Sequence, residues 1–402
     1  MCIILTSLAL SPYQKGAGSM FDFKYFTPTK VVFGKNTELQ VADLIKEFGG
    51  TKILVHYGGG SVVRSGLLDR VKASLDEAGI PYVELGGVKP NPRSGLVYEG
   101  IELCKKEGVD FVLAVGGGSS IDSSKAIAAG VVYDGDFWDF YCGKPIEKAL
   151  PVGTVLTIAA AGSEGSGDSV ITKEEGMYKR GASGEGIRPK FSILNPELTQ
   201  TLPPYQTACG ITDIMAHLYE RYLTNSKDVE VTDRLIEALL ITMKNEGPKV
   251  IADPDDYEAR ANIMWAGTMA HTNSCGVGRS QDWNSHNIEH ELSALYDCAH
   301  GAGLAVTMPA VFKYVMNHDV ARFGQVARRV WGVETAEEGI DAFRNFLISI
   351  GMPSTLGELG GKEEDIPVLV KNLCYGDGRD GTISGFVTLN EEDCANIYRA
   401  ML

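Results

Sequence analysis

The chain has 402 residues, enough for two domains or one large one, and 44% apolar, 22% charged and 8% aromatic residues, the profile of a globular protein with a sizeable core. Its 37 basic and 52 acidic residues leave a net charge of −15, which repels phosphate backbones and argues against nucleic acid as a partner. Eight cysteines form no CxxC pair; they argue against zinc-ribbon and thioredoxin-type frameworks and read as free thiols of a cytoplasmic protein.

Residues 1–19, MCIILTSLALSPYQKGAGS, read as a tag or disordered leader. Their apolar run is shorter than the ~20 residues of a membrane span and lacks the basic start of a secretory signal. Nothing else resembles targeting or transmembrane sequence. From 20 to 199, apolar strand-like runs alternate with helical patterns. VVFG (31–34), KILVHYGGGS (52–61), YVELGG (82–87), FVLAVGGGSS (111–120) and FSILNP (191–196) read as strands with their loops. TELQVADLIKEFG, SGLLDRVKASLDEAG and RSGLVYEGIELCKKEG carry apolar residues at helical spacing and end in glycine, and a further helix begins near Ile121. The alternation predicts an α/β domain with a parallel sheet covered by helices on both faces. The consecutive prolines 203 and 204 mark a change of texture. Residues 200–402 read as an all-α domain with almost no strand signal.

Two glycine loops end predicted strands. In AVGGGSSIDSSK, Gly116, Gly117 and Gly118 precede a helix that starts near Ser119, with Asp122 one turn further on. Such a loop lets backbone approach a pyrophosphate at a helix N-terminus, and it equally suits a tight turn with a serine cap. Gly58, Gly59, Gly60 and Ser61 form the second loop. Dinucleotide folds place an acid there for the ribose 2′-OH; this loop has none, and Arg64 follows it. That composition favours NADP over NAD, against the alternative of a structural turn. A third stretch, PVGTVLTIAAAGSEGSGDSVIT, has small residues after Thr157 and is by itself a weak signal.

The helical half holds the sharper pattern. Three of the seven histidines, His286, His290 and His300, fall within fifteen residues, and His217 follows Asp213 by four. Residues at i and i+4 share a helix face, and an imidazole buried in an apolar helix needs a partner. Asp213, His217, His286 and His300 make a carboxylate-plus-three-imidazole set suited to Fe(II) or Zn(II), with room left for a substrate oxygen. His290, out of step with that set, is a candidate proton relay, or else a hydrogen-bond donor to the ligands. His56, His271 and His318 lack companions in the sequence and receive no role.

The stretches FxFxxPTKVVFG, KPNP (89–92), GGGSSIDSSKAIA, LNPELTQTLPPYQTACGITDIMAHLYERY and SHNIEHELSALYDCAHGAGLA, in that order, resemble the iron-containing (group III) alcohol dehydrogenases of the butanol dehydrogenase-like branch. The resemblance implies that Asp213, His217, His286 and His300 bind the metal and that His290 lies beside it. It also implies that Asn91, Gly118, Ser119, Thr157 and Lys190 contact the dinucleotide, and that a segment like FKYFTPTKVVFG pairs two subunits into a homodimer. The family loop T-x-x-G-T-G-S-E is Thr157–Glu164 here, with Ala161 in place of a threonine. The expected activity is hydride transfer between NADP(H) and small aliphatic alcohols or aldehydes. Two rivals share these features: a dehydroquinate synthase-like lyase, which needs several basic residues near the metal, and a non-catalytic metal- or nucleotide-binding protein.

Overall fold

Glycine-bounded runs of β-branched and apolar residues build a six-stranded sheet in the computed structural model, which describes residues 20–376 and 379–402. The expected leader, residues 1–19, lies outside the described residues. The chain divides into two units: Thr27–Leu202, and residues 20–26 together with Pro203–Leu402.

In the first unit, β1 (Lys30–Phe33), β2 (Ile53–Gly58), β3 (Tyr82–Val88), β4 (Phe111–Gly116), β5 (Val152–Leu156) and β8 (Phe191–Leu194) form one parallel sheet in the order β1-β8-β5-β4-β2-β3. Alternate residues serve opposite faces. Ile53, Val55, Phe111, Leu113 and Phe191 pack with α1 (Val41–Glu47) and α3 (Leu67–Glu77), and the short α2 (Ser61–Arg64) adds Val62 to that core. Leu54, Leu85, Val112 and Val152 pack on the other face with α4 (Ser94–Glu107), α5 (Gly118–Val131) and the single turn α6 (Trp138–Tyr141). The parallel, two-faced sheet expected from the sequence is therefore present. Two features were not expected. β5 lies within a stretch valued only for its loop, and β6 (Asp168–Lys173) and β7 (Tyr178–Ser183) form a separate antiparallel hairpin. The helix expected near Ile121 starts earlier, at Gly118.

The second unit is helical, as expected: α7 (Pro204–Tyr222), α8 (Glu230–Ala252), α9 (Tyr257–His271), α10 (Asn284–Tyr296), α11 (His300–Val315), α12 (Val320–Val326), α13 (Ala336–Ser349), α14 (Ile366–Tyr375) and α15 (Glu391–Arg399). Its described strands are two-residue pieces, β9 (Thr382–Ile383) and β10 (Leu389–Asn390). Pro204 opens α7 at a position where a missing N–H costs nothing. Every residue from Thr207 to Tyr222 is buried, with α8, α9, α10 and α11 packed around the helix. Polar side chains on α7 are thus deprived of water and must find protein or ion partners.

One buried histidine belongs to the sheet. His56 is fully buried; its Nδ1 donates to the Leu85 carbonyl at 2.7 Å and its Nε2 accepts from Ser123 Oγ at 2.8 Å. Burial lowers its pKa to about 4, although the bond to Leu85 opposes the shift. The folded state therefore takes up the proton less readily than the unfolded chain. The stability that neutral His56 supports is complete above about pH 6.5 and drains away towards pH 4, by roughly 3 kcal/mol in all. Urea unfolding across that interval should show the decline, and His56→Gln, less stable at neutral pH, should show a shallower one.

Candidate metal centre and cofactor loops

The helical period places Asp213, His217 and Glu220 on one face of α7, and His286, Glu289, His290 and Ser293 on one face of α10. His300 arrives by a different route. Asp297 ends α10 in the left-handed conformation, and His300 opens α11. Glycine is required next: a Cβ on Gly301 would overlap the Cys209 carbonyl of α7, and one on Gly303 would sit 2.6 Å from Glu289 Oε1. The HGAG sequence thus lets α11 close against α7 and α10 and bring its first imidazole inward.

These elements converge on Asp213 Oδ1. The Nε2 atoms of His217, His286 and His300 lie 3.8, 3.7 and 3.7 Å from it. Such distances are too long for hydrogen bonds. They approach the ligand–ligand edge of about 3.4 Å in a tetrahedron with metal–ligand bonds near 2.1 Å. Asp213 Oδ1 and His286 Nε2 are buried and have no hydrogen-bond partner. A buried carboxylate oxygen and an imidazole nitrogen left unbonded at that separation are costly unless a cation lies between them. The residues therefore fit a divalent metal. Burial opposes ionisation of Asp213, yet His300 and His286 outweigh it and hold the carboxyl below the usual range.

Two further carboxylates complete the centre, and sequence reasoning missed both. Glu220 accepts from His286 Nδ1 and, at 3.1 Å, from the His286 backbone N–H. Glu289 accepts from His300 Nδ1 and from Ser293 Oγ. Both glutamates are completely buried. A carboxylate behind an imidazole fixes the tautomer that turns Nε2 toward the metal and raises its basicity. Burial alone would lower the pKa of His286; Glu220 and Asp213 instead push it up to about 10, so a metal binding there displaces a proton. The signal was available, because both glutamates follow a candidate ligand histidine by three residues on the same helix face. His290 lies beside the cluster, its ring 5.7 Å from that of His300 and 6.3 Å from that of His286.

In the α/β unit, most residues expected at the cofactor gather along the carboxyl edge of four adjacent strands. Gly58 ends β2 and Gly59, Gly60 and Ser61 follow it, Asn91 follows β3 in a left-handed turn (φ 52°), Gly117, Gly118 and Ser119 follow β4, and Thr157 follows β5. The strand order reverses between β2 and β4, where open α/β sheets place their ligands. Thr157 N–H donates to the Gly116 carbonyl at 3.1 Å. A side chain on Gly117 would overlap Ile158.

Two expectations need correction. Lys190 precedes β8 at the amino end of the sheet, where its N–H bonds the Val152 carbonyl; four residue rises put that level roughly 13 Å from the Gly116 edge. It is therefore at the wrong end of the sheet for the glycine loops. Asp122 spends its carboxylate inside the domain, accepting from Ser163 Oγ at 2.5 Å and Val170 N–H at 3.0 Å. It supports the loop from behind. Lys125, one turn on and fully buried, was overlooked; its Nζ donates to the carbonyls of Ser163, Ser166 and Asp168 and to Ser163 Oγ at 2.6–2.9 Å. Burial lowers its pKa to about 8 against the pull of Asp122, Asp168 and Glu164.

Replacing Glu220 with Gln should weaken metal affinity by about 10- to 100-fold, measured by competition with a chelator, with little change in the unfolding midpoint of metal-free protein.

Comparisons with known proteins bear on the family and the fold. Residues 28–196 match the model of the iron-containing alcohol dehydrogenases, and residues 207–402 match that of the C-terminal region of the Fe-containing alcohol dehydrogenase family. The chain is 42% identical to NADH-dependent butanol dehydrogenase A of Clostridium acetobutylicum, over 94% of this chain and 99% of that protein. It is 36% identical to the NADPH-dependent aldehyde reductase YqhD of Escherichia coli, over 88% and 93%. The crystal structure of a NADH-dependent butanol dehydrogenase A from Thermotoga maritima superposes with a TM-score of 0.93 at 42% identity, covering 96% of this chain and 99% of that one. A parallel-sheet α/β unit, a helical unit built around a buried Asp–His cluster, and matches to both family models place this chain in the iron-containing alcohol dehydrogenase family.

Proposed function

We propose that the protein is a metal-dependent, NADP(H)-linked alcohol dehydrogenase or aldehyde reductase acting on small aliphatic substrates. The observation that carries this reading is the buried Asp213 oxygen faced by three imidazole nitrogens, two of them backed by buried glutamates. Asp213, His217, His286 and His300 would hold one Fe(II) or Zn(II). When bound, the metal supplies Lewis-acid polarisation of the carbonyl oxygen and the reduced nicotinamide supplies the hydride. His290, partly exposed with its ring 5.7 Å from that of His300, would hand a proton toward that oxygen.

The dinucleotide would rest on Gly58–Ser61, Asn91, Gly117–Ser119 and Thr157, with Lys125 and Asp122 fixing the loop behind them. The Gly58–Ser61 loop supports NADP: a Cβ on Gly59 would meet nothing within 4 Å, and a guanidinium nitrogen of Arg64 lies beside Gly60. Relatives of both cofactor preferences occur among the similar proteins. A homodimer is consistent with the exposed aromatics Phe23, Tyr25 and Phe26 ahead of edge strand β1. Among the described residues, no helix is long and apolar enough to cross a membrane.

The lyase reading calls for several basic residues near the metal, and Arg279, the basic residue nearest the three-histidine segment in sequence, is committed elsewhere. Arg279 is buried and bonded to Asp233 Oδ1 at 2.7 Å, to Thr232 Oγ1, and to the carbonyls of Arg221 and Val229.

Metal-loaded protein should oxidise NADPH with at least one of a panel of C2–C6 aldehydes, followed by absorbance; no turnover with any of them would refute the proposal. Arg64→Ala should reduce kcat/KM for NADPH by about tenfold, the loss of one exposed charge contact worth about 1.4 kcal/mol, and leave NADH unchanged.

A further inference from the structure

The three imidazoles around Asp213 are not held alike. His286 and His300 each present Nδ1 to a buried glutamate. His217 does not: its Nδ1 is buried and has no hydrogen-bond partner. A ligand imidazole without that bond is free to rotate about its side-chain torsions unless packing stops it.

Ring packing supplies the restraint. His271, the last residue of α9, lies against His217 with ring centroids 4.3 Å apart and planes 33° from parallel. His286 stacks on His217 at 4.9 Å and 17°. Trp283, just ahead of α10, stands edge-on to His217 at 6.1 Å, to His271 at 6.2 Å and to His286 at 5.3 Å. Arg221 ties the group together. Its Nη2 donates to His271 Nδ1 at 3.0 Å, its Nη1 donates to the His217 carbonyl at 3.0 Å, and its guanidinium lies 4.9 Å over the Trp283 ring. A guanidinium can only donate, so His271 Nδ1 must accept and the ring's proton sits on Nε2. Arg221 therefore sets both the tautomer and the orientation of His271.

We propose that His271 is a positioning residue that holds ligand His217 by ring packing, itself anchored by Arg221, as Glu220 and Glu289 hold the other two imidazoles by hydrogen bonding. The proposal rests on the metal-site reading above. It makes His217 the ligand whose hold depends on packing, and so the one through which metal retention is most easily loosened.

The test uses full-length protein loaded with Zn(II) or, for spectroscopy, Co(II). His271→Ala should release metal to a chelator about tenfold faster or more, the low end of effects for groups that orient ligands, and should shift the visible absorption of the Co(II) form. His271→Phe keeps a ring against His217 and should restore most of the retention and the wild-type spectrum. Metal-free His271→Ala and His271→Phe should unfold at matching urea concentrations. Release from His271→Ala at the wild-type rate overturns the proposal, and so does release from His271→Phe as fast as from His271→Ala. His286→Ala, run alongside, separates the two claims: if it too keeps its metal, the metal site itself is wrongly assigned.

Discussion

The helical unit is organised around a need it cannot meet with protein atoms alone. Asp213 Oδ1 is buried at the centre of three imidazole nitrogens, 3.7–3.8 Å from each, with no hydrogen bond to satisfy it. An anion in that position is tolerated when a cation shares the space. Several neighbouring features serve the same end: buried glutamates behind two imidazoles, glycines that admit α11 to its neighbours, and a left-handed turn at Asp297 that starts His300 at the right place. The two buried glutamates in particular would be an odd use of polarity in a purely structural bundle.

The α/β unit solves a different problem, keeping loops open and rigid at the carboxyl edge of a parallel sheet. Glycines at 58–60 and 116–118 leave the backbone bare there, which costs chain entropy on folding. Beside them, Lys125 and Asp122 of α5 hold the Ser163–Asp168 segment in place. One ammonium gathers three carbonyls and a hydroxyl, and one carboxylate ties the same loop to β6. A charge so deeply buried is tolerated because its donors are all used, and the result is a loop held in one conformation.

Much of this was legible in the sequence, for local reasons. The spacings 213/217 and 286/290 are helix geometry written in residue numbers, and strand runs ending in glycine mark the carboxyl edge of a sheet. What escaped depends on long-range packing. Glu220 and Glu289 have the right spacing, but glutamates on helices are usually solvated, and only burial marks these two as partners of the ligands. His271 stands fifty-four residues from His217 in sequence, so nothing local connects the rings. Lys190 was placed at the cofactor by resemblance alone; the direction of β8 puts it at the opposite end of the sheet. The β6–β7 hairpin is local, but its apolar run is only Val170–Ile171 among charged and polar residues, too short a strand signal to stand out.

The central claim is that one divalent metal on Asp213, His217, His286 and His300 is required for turnover. Its most direct test is metal content and activity followed together through removal and restoration. Protein purified without added metal should carry about one Fe or Zn per chain, lose activity in step with that metal during chelation, and regain it when Fe(II) or Zn(II) is returned. Full activity in protein shown by elemental analysis to be metal-free would contradict the account.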